Sequence, residues 1–155
     1  MEDDMKFACA MGISMVILLG VLVWEHHQDT KPKPTIDDYF YAISLMESND
    51  DPNADHAGDE VGQYGITYAF WYDAIEFSGI GGQHSDCINP AYAQAIMIAY
   101  YRRYAINHLN NNNWYALARI HHGGWNGLNK KHTESYADNV INLINQEVKN
   151  RETNR

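Results

Sequence analysis

"AISLMESNDDPNADHAGDEVGQYGIT", Ala42 to Thr67, begins as an apolar helical pattern and ends as an acidic, glycine-rich loop. Ile36, Phe40, Ile43 and Glu47 recur at spacings of +4, +3 and +4, which puts them on one helix face. Glu47 therefore extends an apolar stripe into the last turn, at the negative end of the helix dipole. Both surroundings oppose a negative charge, and an acid kept protonated is what general acid catalysis requires. The same spacing also suits a solvated acid where the stripe fans out. Asp50, Asp51, Asp55, Asp59 and Glu60 follow, among Pro52, Gly58 and Gly62. A loop or hairpin here would set a second carboxylate across a cleft from Glu47, the glycosidase arrangement. Tyr64, Tyr68, Trp71 and Tyr72 either stack on sugar faces or belong to a core.

Outward from this stretch the chain reads as mostly helical. "TIDD" at Thr35 resembles a capping box that starts the helix Ile36–Ser48. A loop or small β region over 49–65 precedes an aromatic helix over 68–77. Asn89 and Pro90 supply a cap and a first-turn proline for a helix reaching Leu109. That helix is apolar on nearly every side, which fits a central, buried position. "NNNN" from Asn110 is a turn, and a helix from Trp114 stops at Gly123-Gly124. The last helix starts near Thr133 with Tyr136, Val140, Leu143 and Ile144 on one stripe. Residues 149–155 read as a charged, frayed tail.

The chain has 155 residues and a formal net charge of −9, which suits one domain and argues against a nucleic-acid partner. Cys9 and Cys87 do not make a disulfide framework. No ligand spacing calls for a metal or cofactor; the pairs His26-His27 and His121-His122 are adjacent and diverge on a helix.

"FACAMGISMVILLGVLVW", Phe7 to Trp24, is an uncharged run of 18 residues. As a helix it would span about 27 Å, close to the hydrocarbon thickness of a bilayer. The expected organisation is a tail over 1–6, a transmembrane helix over 7–24, a proline-stiffened linker over 25–34, a folded domain over 35–148 and the tail over 149–155. Lys6 precedes the run and Lys31 and Lys33 follow it, a weak vote for a cytoplasmic C-terminal domain.

Four blocks resemble the lysozyme superfamily, most closely the invertebrate-type (destabilase-like) lysozymes and their microbial relatives, and more faintly the lytic transglycosylases. They are "LMESNDDPNA" from Leu45, "GQYGITYAFWYDA" from Gly62, "YYRRYA" from Tyr100, and "LARIHHGGWNG" from Leu117 followed by "TESYADNV" from Thr133. They occur in family order and cover about Ile36 to Leu143. The resemblance implies an α+β lysozyme-like fold, mostly α, with a small β or loop region after the first helix. It implies cleavage of the β-1,4 bond between N-acetylmuramic acid and N-acetylglucosamine in peptidoglycan strands, by a hydrolase or a lytic transglycosylase, for lysis or wall penetration. Glu47 matches the family's catalytic acid. Asp59, Glu60 or neither is its partner, since the transglycosylases use one Glu for both proton steps. Tyr64, Gly65 and Ile66, with His121, Gly123 and Gly124, would line the substrate cleft, and Tyr136 would support Glu47 through its hydroxyl.

Three substitutions depart from the family pattern. Gly65 stands where the family has Gln, His122 where it has Asn, and Trp125 where it has Pro. The first two motivate the alternative of an inactive, lysozyme-like glycan-binding or structural component of a virion or secretion apparatus. A wall-active domain has to face the cell wall, against the weak lysine vote, so the expected setting is a single-pass membrane protein with its domain on the wall side, in a cell or a virion membrane.

Overall fold

Thr35 begins the described fold with a reciprocal cap: its hydroxyl accepts the Asp38 N–H, and its own N–H donates to Asp38 Oδ2 at 2.6 Å. The structure is a computed structural model that describes residues 32–154 except 55 and 57. The tail over 1–6, the expected transmembrane helix over 7–24 and most of the linker lie outside those residues. Among the described residues no helix is long and apolar enough to cross a membrane. Pro34 to Asn154 form one unit.

Among the described residues six α-helices carry the fold: α1 Ile36–Ser48, α2 Tyr68–Ser78, α3 Pro90–Tyr104, α4 Ile106–Asn110, α5 Trp114–Gly123 and α6 Thr133–Thr153. Two 3-10 turns, His84–Ile88 and Gly127–Asn129, complete it. The caps follow the local chemistry. Thr67 Oγ1 accepts the Phe70 N–H, Asn89 Oδ1 accepts the Ala91 N–H, and Asn113 Oδ1 accepts the Ala116 N–H. Helix α1 ends at Asn49, which takes the left-handed conformation at φ 56°. Helix α6 packs on α1 and α5, and α3 packs on α2. Tyr39, Ile43, Tyr101, Leu117, Ile120, Val140 and Ile144 meet in the core, each essentially inaccessible to solvent. Burying an apolar side chain of this size contributes about 1.5–3 kcal/mol, and these residues come from four different helices.

Three expectations need correction. The small β region reduces to one isolated antiparallel bridge, Val61 with Ile66, and there is no strand among the described residues. The glycine-rich turn between them closes too soon for a ladder to extend. The helix expected to reach Leu109 breaks at Ala105, whose backbone lies at φ −144° and ψ 27°. No glycine or proline marks the break. Ala105 is buried there, so packing and not propensity bends the chain. Helix α3 is also open on one side, with Ala91, Ala95 and Arg102 exposed along a groove of about 550 Å³.

The third correction concerns the C-terminus. Helix α6 continues to Thr153 where the tail over 149–155 was expected to fray. Arg151 holds it: its guanidinium grips both oxygens of Asp38, at 2.6 Å and 2.8 Å. Burial by itself would raise the Asp38 pKa, but the Thr35 N–H, the Thr35 hydroxyl and Arg151 more than reverse this and hold it below the ordinary value. Asp38 therefore stabilises the fold above the usual carboxylate range, and that stability is lost as pH falls through its depressed folded pKa. Arg151→Ala should cost about 1–3 kcal/mol at neutral pH. The deficit should shrink once acid protonates Asp38, which thermal unfolding at pH 7 and pH 3 checks. An equal deficit at both pH values would exclude the ion pair as its source.

Candidate active site

The end of α1, the Gly62–Ile66 turn, the end of α5 and the first turns of α6 meet at Glu47. The glycine turn is tied to α1 by Ser48, whose hydroxyl lies 2.9 Å from the Gln63 carbonyl and 3.1 Å from the Ser44 carbonyl. Val61 and Ile66 exchange backbone hydrogen bonds at 3.0 Å and 3.1 Å, closing the turn. Gly65 stands inside it at φ +57°, a conformation that favours glycine. A Cβ added there would lie 3.1 Å from Glu47 Oε2, closer than an ordinary contact. A side chain at this position would press on Glu47, and glycine leaves the acid room.

The other carboxyl oxygen faces α6. Tyr136 donates its hydroxyl to Glu47 Oε1 at 2.5 Å across 89 residues of chain. Burial, and after it the neighbouring negative charge of Glu47, push the Tyr136 pKa far up, so the phenol stays a donor. His122 stacks on the Tyr136 ring, centroids 4.3 Å apart and planes 9° from parallel. Removing only the hydroxyl should leave that stacking in place. Tyr136→Phe should therefore keep the fold and cost about 0.5–1.5 kcal/mol, the contribution of one hydrogen bond, which thermal unfolding checks. An unchanged melting temperature would mean that the hydroxyl does not hold Glu47.

His121 completes the surround. Its Nε2 lies 3.1 Å from the Tyr64 carbonyl and 3.7 Å from Glu47 Oε1. Burial pushes the His121 pKa down; Glu47 and the Tyr64 carbonyl act in the opposite sense without reversing it. The imidazole is thus neutral at neutral pH, and its approach to Glu47 is a contact with a neutral ring and no ion pair. Tyr64 is itself buried, its hydroxyl accepting from Gln94 at 2.7 Å.

Beside His121 a cavity of about 390 Å³ opens, lined by Thr67, Phe70, Asp73, Tyr100, His122, Gly123, Gly124, Trp125, Asn126 and Lys130. Phe70 and Tyr100 stack face to face in it, centroids 3.7 Å apart. Trp125 is 65% exposed at its margin. Thr67, Asp73, His121, His122, Asn126 and Lys130 give the cavity a mixed lining with many polar groups, and Glu47 is not among the residues that line it. The larger groove along α3 touches none of these groups.

The structure thus brings Glu47, Gly65, His121 and Tyr136 together, with Tyr64 and Ile66 building the turn and Gly123 and Gly124 on the adjoining cavity. The loop carboxylates sit otherwise. Asp59 is exposed and caps α2, its Oδ2 accepting the Tyr68 N–H at 3.0 Å. Glu60 lies 3.6 Å from His56, whose other ring nitrogen donates to the Gly62 carbonyl at 2.8 Å. The negative charge of Glu60 adds slightly to the upward push on Tyr136, and Asp59 contributes nothing comparable. Two polar groups behind the site, Tyr39 and Tyr101, carry no local signal in the sequence. Their hydroxyls lie 2.8 Å apart, and Tyr101 reaches His121 Nδ1 at 3.3 Å. Among the described residues no group of His, Cys, Asp and Glu is arranged to hold a metal ion. No family model matches the chain, and no curated protein matches it.

Proposed function

We propose that this protein is a lysozyme-like peptidoglycan glycosidase, with Glu47 as the acid that protonates the leaving glycosidic oxygen. The observation that carries this reading is the setting of Glu47: Tyr136 donates to one oxygen, glycine at position 65 keeps side-chain atoms off the other, and His121 stands at its side. A general acid must be held within hydrogen-bond reach of the bond it protonates, and the Tyr136 bond holds the carboxyl by one oxygen. The cavity that opens beside His121, with the exposed Trp125 at its margin, is where a sugar ring would lie.

Glu60 is the preferred second carboxylate, because Asp59 already serves the N-terminus of α2. It would stabilise the oxocarbenium-like sugar or position water. Product analysis on purified cell walls tests this. A reducing end identifies the hydrolase in which Glu60 takes part; a 1,6-anhydro end identifies a transglycosylase that works with Glu47 alone. The proposed setting is a membrane-anchored domain on the wall side, held by residues 7–24, and fractionation of the expressed full chain checks it.

A second reading, a glycan-binding module without turnover, draws on the cavity, whose lining does not include Glu47. That reading predicts binding to wall glycan with no product and no change in binding when Glu47 is replaced.

A further inference from the structure

The Tyr64 carbonyl can only accept a hydrogen bond, so the His121 nitrogen 3.1 Å from it carries the proton. In a neutral ring Nδ1 is then an acceptor, and Tyr101 must donate to it at 3.3 Å. The Tyr101 hydroxyl has no second proton, so at the 2.8 Å contact Tyr39 is the donor. The chain of bonds is therefore directed: Tyr39 to Tyr101, Tyr101 to His121, His121 to the Tyr64 carbonyl. All three side chains are shut off from water, Tyr39 and Tyr101 completely. The last acceptor belongs to the peptide that joins Tyr64 to Gly65, and Gly65 is where an added Cβ would meet Glu47 Oε2 at 3.1 Å.

We infer that Tyr101 is a positioning residue for Glu47: its hydroxyl fixes the rotation of the His121 ring, and the ring seats the Tyr64–Gly65 peptide against the carboxyl group. The inference deepens the reading of Glu47 as the acid and rests on it. Tyr101 touches neither Glu47 nor the cavity wall; it acts through His121. Without its hydroxyl, Nδ1 has no donor and one of the two bonds that hold the ring is gone. Tyr39 stands one hydroxyl further back. It donates to Tyr101 and to nothing beyond, which makes it the control.

The experiment compares Tyr101→Phe, Tyr39→Phe and the double variant in the full chain. It reads turnover on purified cell walls alongside the nitrogen shifts and Nε2–H exchange of His121 by NMR. Tyr39→Phe should lose stability but keep turnover within about twofold and leave the His121 signals in place. Tyr101→Phe should lose the shift of a hydrogen-bonded Nδ1, exchange the Nε2 proton about tenfold faster, and lower kcat about tenfold with KM little changed. The double variant no longer strands the Tyr39 hydroxyl, so it should regain stability over Tyr101→Phe while the loss in kcat persists. A kcat for Tyr101→Phe equal to that of Tyr39→Phe, or one restored with stability in the double variant, would overturn the inference. Unchanged His121 signals in Tyr101→Phe would overturn it as well. Should Glu47→Gln keep full lysis, the reading of Glu47 falls by itself, and the NMR comparison still decides whether Tyr101 holds the ring.

Discussion

Glu47→Gln should fold normally and lower lysis of purified cell walls by about 10²–10⁴-fold, the usual contribution of a general acid. The substitution is nearly isosteric. The amide oxygen of Gln can still accept from Tyr136, and no Cβ is added near Gly65, so the local packing has no reason to change. What disappears is the transferable proton. Protonation of the leaving oxygen has no substitute within reach, because Tyr136 is pushed far above the ordinary phenol pKa and His121 below the ordinary imidazole value, first of all by burial. Thermal unfolding should therefore match the wild type while release of soluble muropeptides collapses. Wild-type lysis by the variant would remove the assignment of the acid. Normal binding to insoluble wall without product, in wild type and variant alike, would point to the glycan-binding module.

Gly127→Ala should destabilise the fold by about 3 kcal/mol, the upper end of what overpacking costs, and lower the melting temperature by on the order of 10 °C. A Cβ on Gly127 would lie 2.0 Å from the Arg119 carbonyl oxygen and 2.7 Å from its carbon. Both atoms belong to the backbone of α5 and cannot turn aside as a side chain would. The surrounding bonds resist a shift too. Arg119 donates to the Thr133 hydroxyl at 2.9 Å and to the Leu128 carbonyl at 2.9 Å, and Thr133 lies 2.9 Å from the Gly127 carbonyl. This strap sets the start of α6, and so the placement of Tyr136 against Glu47. Loss of lysis should accompany the loss of stability. Gly81→Ala is the control, since a Cβ there meets nothing within 4 Å. Equal melting temperatures for the two variants would show that the close approach carries no energetic weight.

Much of this architecture was legible in local patterns. The Thr35 and Asn89 caps announce their helices because each satisfies N–H groups only a few residues away. The stripe from Ile36 to Glu47 placed the acid at a helix end, on the core side, and the turn around Gly123 and Gly124 closed α5. The break at Ala105 carried no local signal, because alanine is the best helix former and its burial alone decides the bend. The frayed tail was misread for a related reason. The partner that orders Arg151 is Asp38, 113 residues away, and charged residues at a chain end look the same with or without such a partner.

The local pattern by itself determined most of the helices and the acidic loop, because those properties depend on contacts within a few residues, and it was the resemblance of the later blocks that singled out Glu47 as the acid to examine. Only the tertiary structure decided what surrounds that acid. Tyr136 meets Glu47 from 89 residues away, and His121 meets the Tyr64 carbonyl from 57. The same is true of the loop: five carboxylates within a short stretch are alike in sequence, and only the folded positions separate Asp59, spent on the start of α2, from Glu60. Hydrogen bonds and burial act over a few ångströms in space, and folding alone brings distant residues that close.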